Sequence, residues 1–197
     1  MSALLLSGGM DSVAIAAWKR PRIAFTIDYG QRAAQAEVAA ARQVCADLAI
    51  AHEVIVVDCS GLGSGDMSMK PALETAPASD WWPFRNQLLV TLAGMRCVSL
   101  GVSELMIGTV TGDQVHADGR AAFYDALNAL LALQEGGMQV SAPAIRMTTA
   151  ELVRASGISS SILGWAHSCH VSSLACGSCR GCVKHIETTR DLGGPAY

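Results

Sequence analysis

"ALLLSGGMDSVAIAAW", residues 3–18, joins a short apolar run, Leu4 to Leu6, to an apolar-periodic stretch that begins at Asp11–Ser12. Between them stand Ser7, Gly8 and Gly9. The pattern predicts a strand, a glycine turn and a helix. In an open parallel sheet, ligands collect beyond the C-terminal ends of the strands, where this turn lies. Two glycines remove two Cβ atoms and admit unusual backbone angles, so an oxyanion can approach the amides closely. The first helical turn adds unpaired N–H groups and a partial positive charge. Ser7 and Ser12 add hydroxyl donors. The expected partner is an anion such as pyrophosphate; a tight turn without a ligand is the competing reading. Asp11 repels phosphate directly, so it either caps the helix through its side chain or holds a Mg²⁺ that the phosphates share. Neither GxxxxGK[ST] nor GxGxxG is present.

The rest of the chain repeats the alternation. Further β-like runs are Ile23–Ile27, Glu53–Val57, Glu104–Val110 and, more weakly, Met138–Ala142. Ala34, Val38, Ala41, Cys45 and Leu48 recur at helical spacing, and Phe123, Leu127 and Leu130 repeat the pattern. Leu88, Leu89, Leu92, Met95 and Val98 sit on a nearly all-apolar segment, expected to be a buried helix. Strands alternating with helices predict an α/β fold: a doubly wound, mainly parallel five-stranded sheet over residues 1–160. Gly61–Asp80, rich in Gly, Ser and Pro, reads as a mobile loop or lid.

With 197 residues, 51 % hydrophobic and 16 % charged, the chain suits one substantial core with a small appendage. Fourteen basic and 17 acidic residues leave a formal charge of −3, which does not announce nucleic acid. No apolar run approaches the roughly 18–20 residues of a membrane span. Met1-Ser2 leads straight into a strand with no basic flank, so no export signal is expected and the expected location is cytoplasmic. Seven cysteines in that compartment are not a disulfide framework.

Four of the seven lie close together. Cys169, Cys176, Cys179 and Cys182 form C-x6-C-x2-C-x2-C. Two overlapping CxxC turns and one returning loop offer four thiolates to a closed, structural Zn²⁺ site. Arg180, Lys184 and His185 would offset its charge. A redox CxxC and an iron–sulfur cluster are the other readings, and His167 or His170 could replace the first cysteine. The knuckle is expected within residues 161–197, packed on the larger domain. Cys45, Cys59 and Cys97 read as packing thiols.

Ser7-Gly8-Gly9-Met10-Asp11-Ser12 resembles the SGGxDS signature of the PP-loop (N-type) ATP pyrophosphatases, which attack the α-phosphate of ATP. With a C-terminal four-cysteine knuckle, the chain resembles the 7-cyano-7-deazaguanine (preQ0) synthases, the QueC family. "TIDYGQR" (26–32), "WPFRNQLLVTLA" (82–93) and "IGTVTGD…DGRAAFYDAL" (107–127) agree with it. The resemblance implies a ligase forming carbon–nitrogen bonds in queuosine biosynthesis, with ATP, Mg²⁺ and Zn²⁺. It would convert 7-carboxy-7-deazaguanine and ammonia to the amide and then the nitrile. It implies pyrophosphate held by Ser7, Gly8, Gly9, Met10, Asp11 and Ser12, and the nucleoside part near Asp28, Tyr29, Gln31 and Arg32. Arg85, Asn86, Asp113 and Arg120 would meet the substrate; Asp11, Ser12, Arg85 and Asp113 would carry the chemistry. Trp81 and Trp82 are candidates for stacking or for a lid contact, and His52 and His116 for structural or surface roles. A homodimer is implied, with no membrane or direct nucleic-acid partner.

The chain departs from that family at two places around the site, and its gap from Cys169 to Cys176 is also short. "QVHADGR" (114–120) stands where the family carries a Ser-Gly-Tyr-Pro-Asp-Cys-Arg-like stretch that shapes the deazapurine pocket. Thr149 stands where it carries a lysine; the lost cation would either weaken catalysis or be replaced by Arg146. Two alternatives follow: a ligase that stops at the amide or uses another amine, a protein-linked one among them, in a defence or natural-product pathway; and a non-catalytic nucleotide-binding subunit.

Overall fold

The computed structural model describes residues 1–194. The last three residues of the predicted knuckle segment lie outside them. Five strands, β1 (Ser2–Leu5), β2 (Ile23–Asp28), β3 (Ala51–Val56), β4 (Glu104–Met106) and β5 (Gln139–Ser141), form one sheet in the order β3-β2-β1-β4-β5. Every pairing is parallel. The last two strands are shorter than their apolar runs, because the chain leaves the sheet after Met106 to build the cavity wall.

Seven helices connect and flank the strands: α1 (Met10–Lys19), α2 (Ala34–Leu48), α3 (Arg85–Ser99), α4 (Ala121–Leu131), α5 (Thr149–Ser156), α6 (Ser160–Leu163) and α7 (Arg180–Asp191). β1 shows how two cores arise from one strand. Its side chains alternate in direction, so Leu4 and Leu6 join the core under α1, α2 and α5, while Ala3 and Leu5 join the core under α3 and α4. The α2 stripe is buried at every expected position, Ala34, Val38, Ala41, Cys45 and Leu48.

Two helices differ from expectation. α3 is not buried all round: Val90, Ala93 and Cys97 face the sheet, while Met95 (62 %) and Val98 (47 %) are exposed. Only one face of a helix lying on a sheet can reach it, and among the described residues no further layer covers the other. On α4 the buried residues are Tyr124 and Leu127 rather than Phe123 and Leu130. Tyr124 is drawn in by its hydroxyl, which lies 2.6 Å from Thr109 Oγ1.

The Gly61–Asp80 stretch is a packed connection. It holds two short 3-10 turns, Ser60–Leu62 and Gly65–Met67. Arg32 N donates to Met67 O at 3.0 Å and Asp66 N to Ser79 O at 2.8 Å. Met67 and Trp82 enter the core, where Trp82 meets Tyr29 edge to face at 4.9 Å. Trp82 therefore packs inside rather than stacking on a ligand. Among the described residues no helix is long and apolar enough to cross a membrane.

Candidate active site and four-cysteine cluster

The chain runs outward from β1 to β3, then returns to lay β4 on the other side of β1. This reversal leaves a crevice between the ends of β1 and β4. A cavity of about 290 Å³ opens there, lined by the Ser7–Ser12 turn, the loop after β4 and the cysteine-rich segment. The approach is close: a Cβ on Gly108 would lie 3.2 Å from the backbone of Ser12.

The glycines of the turn act differently. Gly8 adopts φ +79°, and a Cβ there would stand 2.8 Å from Glu37 O. Gly9 keeps an ordinary extended conformation and is the N-cap of α1, with no side-chain cap on the helix. Asp11 therefore is not the cap, and the first amides of α1 are left for a ligand. Ser12 Oγ donates to Gly9 O at 3.0 Å and lies 3.2 Å from Ser7 Oγ, so the two hydroxyls share the turn. His167 N donates to Gly8 O at 2.8 Å, which fixes the outer edge.

Asp11 instead faces Lys184. The Lys184 ammonium lies 2.8 Å from Asp11 Oδ2 and 3.0 Å from Asp113 Oδ1. Burial raises the Asp11 pKa, and Lys184 opposes that rise. Burial alone would lower the Lys184 pKa; Asp11 and Asp113 outweigh it and hold it above the ordinary lysine value. Asp113 also accepts a bond from Val110 N through Oδ2 at 3.0 Å. Asp11 Oδ1 is buried without a hydrogen-bond partner, a spare ligand atom that fits a hard cation such as Mg²⁺.

Across the cavity Asp80 gathers three cations or potential cations. Arg180 Nε is 3.4 Å from its carboxylate, His116 Nε2 3.3 Å and His170 Nδ1 3.7 Å. Burial would raise the Asp80 pKa, but His116, His170 and Arg180 bring it down to about 2. These distances permit charge attraction without hydrogen-bond alignment: Asp80 Oδ1 and both His116 nitrogens have no hydrogen-bond partner.

Arg85 and Asn86 open α3 at the cavity wall. Asn86 Nδ2 donates to Asp118 O at 3.0 Å, which ties α3 to the 114–120 loop. Among the described residues no carboxylate lies within ion-pair distance of Arg85, so its charge is available to an anion. Tyr29 joins the wall, whereas Asp28 caps its own turn by accepting from Gly30 N at 3.1 Å. Gln31 is buried behind the wall and donates to Glu37 at 2.8 Å. Burial raises Glu37 to about 7. Arg32 lies on a separate shallow depression with Asp66 and Lys70. Arg120 is exposed and donates to Gln114 O at 3.0 Å, away from the cavity lining. His52 is a packing residue, 2.8 Å from Thr26 Oγ1.

Sequence reasoning did not single out Glu37, Asp80 or Asp118, gave His116 a structural or surface role, and gave His170, Arg180 and Lys184 no place at the cavity. Their only sequence signal is position: Asp80 precedes the Trp81-Trp82 pair, and Arg180 and Lys184 flank cysteines.

The four cysteine sulfurs lie within 4.8 Å of one another. A tetrahedral zinc with Zn–S bonds of about 2.3 Å needs S–S edges of roughly 3.8 Å. Cys176 Sγ and Cys182 Sγ are 3.9 Å apart. Backbone amides support the thiolates, His170 N on Cys179 Sγ at 3.4 Å and Cys179 N on Cys176 Sγ at 3.3 Å. The donor set fits zinc. Cys45 and Cys97, pushed up to about 11 by burial, are packing thiols.

Comparison with known proteins agrees with this geometry. The family described as "Queuosine biosynthesis protein QueC" matches residues 2–192. A 7-cyano-7-deazaguanine synthase of Chlorobium phaeobacteroides is 30 % identical over 98 % of this chain and 93 % of its own length. One of Methanosarcina barkeri is 30 % identical over 96 % of this chain and 93 % of its own length. One of Xanthomonas campestris is 29 % identical over 98 % and 95 %. The glycine turn at the sheet reversal, the shared cavity and the four-cysteine cluster thus occur in a chain that belongs to the QueC family.

Proposed function

We propose that this chain is an ATP-dependent ligase that activates the carboxylate of 7-carboxy-7-deazaguanine and joins it to ammonia, giving the amide and then the nitrile. The observation that carries the reading is the uncapped glycine turn, with Arg85 and Lys184 facing the same cavity.

The chemistry explains why such a turn is needed. A carboxylate resists ammonia because it is anionic and its oxygen leaves badly. Its oxygen attacks the α-phosphorus of ATP, the bond to the departing pyrophosphate breaks, and an acyl adenylate results. Ammonia then displaces AMP and loses a proton, leaving the amide. The amide oxygen is adenylated in turn with loss of a proton. Departure of AMP with that oxygen, and of the last N–H proton, yields the nitrile.

The protein aligns the attacking oxygen and stabilises charge on the leaving group. The amides of Gly9 to Ser12 and the Ser7 and Ser12 hydroxyls would receive the pyrophosphate. Arg85 would hold the anionic substrate, and Tyr29 and Asn86 would bound its space. Asp11 and Asp113 are the carboxylates that would hold Mg²⁺, which when bound neutralises phosphate charge. Cys169, Cys176, Cys179 and Cys182 would hold zinc as a structural clamp.

The test is incubation with 7-carboxy-7-deazaguanine, ATP, Mg²⁺ and ammonium, with products read by mass. Nitrile with pyrophosphate supports the reading. Amide alone, or an adduct with another supplied amine, moves the chain to a ligase that stops early, which the altered 114–120 loop favours. ATP binding without pyrophosphate release would make it a nucleotide-binding subunit.

A further inference from the structure

Lys184 sits where three remote segments converge. α7 begins directly after its N-cap Cys179 and carries Cys182 in its first turn. Two residues later, the Lys184 ammonium lies between Asp11, at the start of α1, and Asp113, in the loop after β4. α7 also packs against α5, whose first residue is Thr149. Thr149 is buried beside Asp11 and carries a neutral hydroxyl, so it brings no charge there. Arg146, three residues earlier, is exposed and is not among the cavity-lining residues. Among the described residues Lys184 is therefore the cation that ion-pairs with the first turn of α1.

We propose that Lys184 is a catalytic residue, whose ammonium contacts the α-phosphate and the departing pyrophosphate of ATP, supplied from the cysteine-anchored helix instead of from position 149. The proposal rests on reading the cavity as an ATP-activating site. One ammonium between two carboxylates leaves that corner with excess negative charge, which would repel a triphosphate if Lys184 were absent. A lysine is a compact charge on a flexible four-carbon stem, so it can turn from carboxylate to phosphate without moving the helix. Its attraction grows as negative charge develops on the leaving group, which is the differential contact that raises kcat.

Metal-replete wild type, Lys184→Met and Lys184→Met combined with Thr149→Lys decide the matter. Lys184→Met should lower kcat for pyrophosphate release by about 10²–10³. The KM for the deazapurine acid and the zinc content should stay near wild type, while the melting temperature falls with the loss of the Asp11 and Asp113 ion pairs. Thr149→Lys added to Lys184→Met should regain a large part of that rate, which a simple tether for α7 would not do. A kcat for Lys184→Met within about three-fold of wild type, with metal retained, overturns the proposal. Should Lys184→Met fail to fold, acetylation footprinting of the wild type replaces it. A non-hydrolysable ATP analogue should then shield Lys184, and unaltered labelling overturns the proposal. A wild type that binds the analogue but leaves the deazapurine acid untouched refutes the substrate reading alone. In that case a ten-fold or greater loss of analogue affinity in Lys184→Met supports the lysine assignment, and equal affinity removes it.

Discussion

The two walls of the cavity are built by opposite means. One is a single stretch, Ser7 to Ser12, that His167 fixes at its outer edge and Lys184 meets at Asp11. The other draws Asp80 from the packed connection before α3, His116 from the loop after β4, and His170 and Arg180 from the cysteine-rich segment. The first wall works through backbone dipoles. The second works through a carboxylate whose pKa is held low by two histidines and Arg180, with polar atoms still unpartnered. The first wall is contiguous in sequence; the second depends on three separate segments keeping their places.

That difference can be broken from the metal side first. Cys179→Ser should leave zinc content near zero and sharply lower the melting temperature, because metal binding contributes about 10–16 kcal/mol in small zinc modules. The second wall should fall with it. Wild type that purifies metal-free and equally stable would remove the zinc assignment.

Breaking the first wall should act on chemistry alone. Asp11→Asn should reduce pyrophosphate release by about 10²–10³ while the melting temperature stays within a few degrees, as for loss of one preorganised charge contact. Turnover equal to wild type would detach the turn from ATP.

Within the second wall, Asp80→Asn should cost about 2 kcal/mol at pH 7, measured by urea unfolding. The Asp80 pKa falls from 3.8 to about 2 on folding. Its stabilisation is thus present above pH 4 and is lost as the pH falls toward 2. The Asp80→Asn variant should lose that acid limb, and an unchanged acid limb would contradict the assignment.

The smallest effect sharpens the border between the walls. Burial lifts Glu37 from 4.5 to about 7. A group raised in this way favours folding below pH 4.5, and the benefit is lost as pH rises through 7. Glu37→Gln should therefore reduce the difference in unfolding free energy between pH 5.5 and 8.5, by a change on the order of 1–2 kcal/mol. No change in that difference would show that Glu37 is already ionised in the fold.

Legibility followed the same division. The Ala34-to-Leu48 stripe could be read because helical periodicity is written in neighbouring residues. The apolar letters of α3 misled, since apolar character does not say which side has a partner: Met95 and Val98 are exposed. Position 82 could be read only as aromatic, and packing against Tyr29 decided its direction. Asp28, Tyr29, Gln31 and Arg32 form one short motif, yet the turn sends them to four different environments.

Local sequence was enough to define the strand, glycine turn and helix at the start, the alternation that makes a parallel sheet, and a four-thiolate set. Each depends on spacings of a few residues, which local backbone geometry converts directly into shape. Only the tertiary structure decided that Lys184 meets Asp11 and Asp113, 173 and 71 residues away, and that Asp80 meets two histidines and an arginine. Charge attraction acts through space, so its partners appear only once the sheet has reversed direction and α7 has been brought back over the first turn.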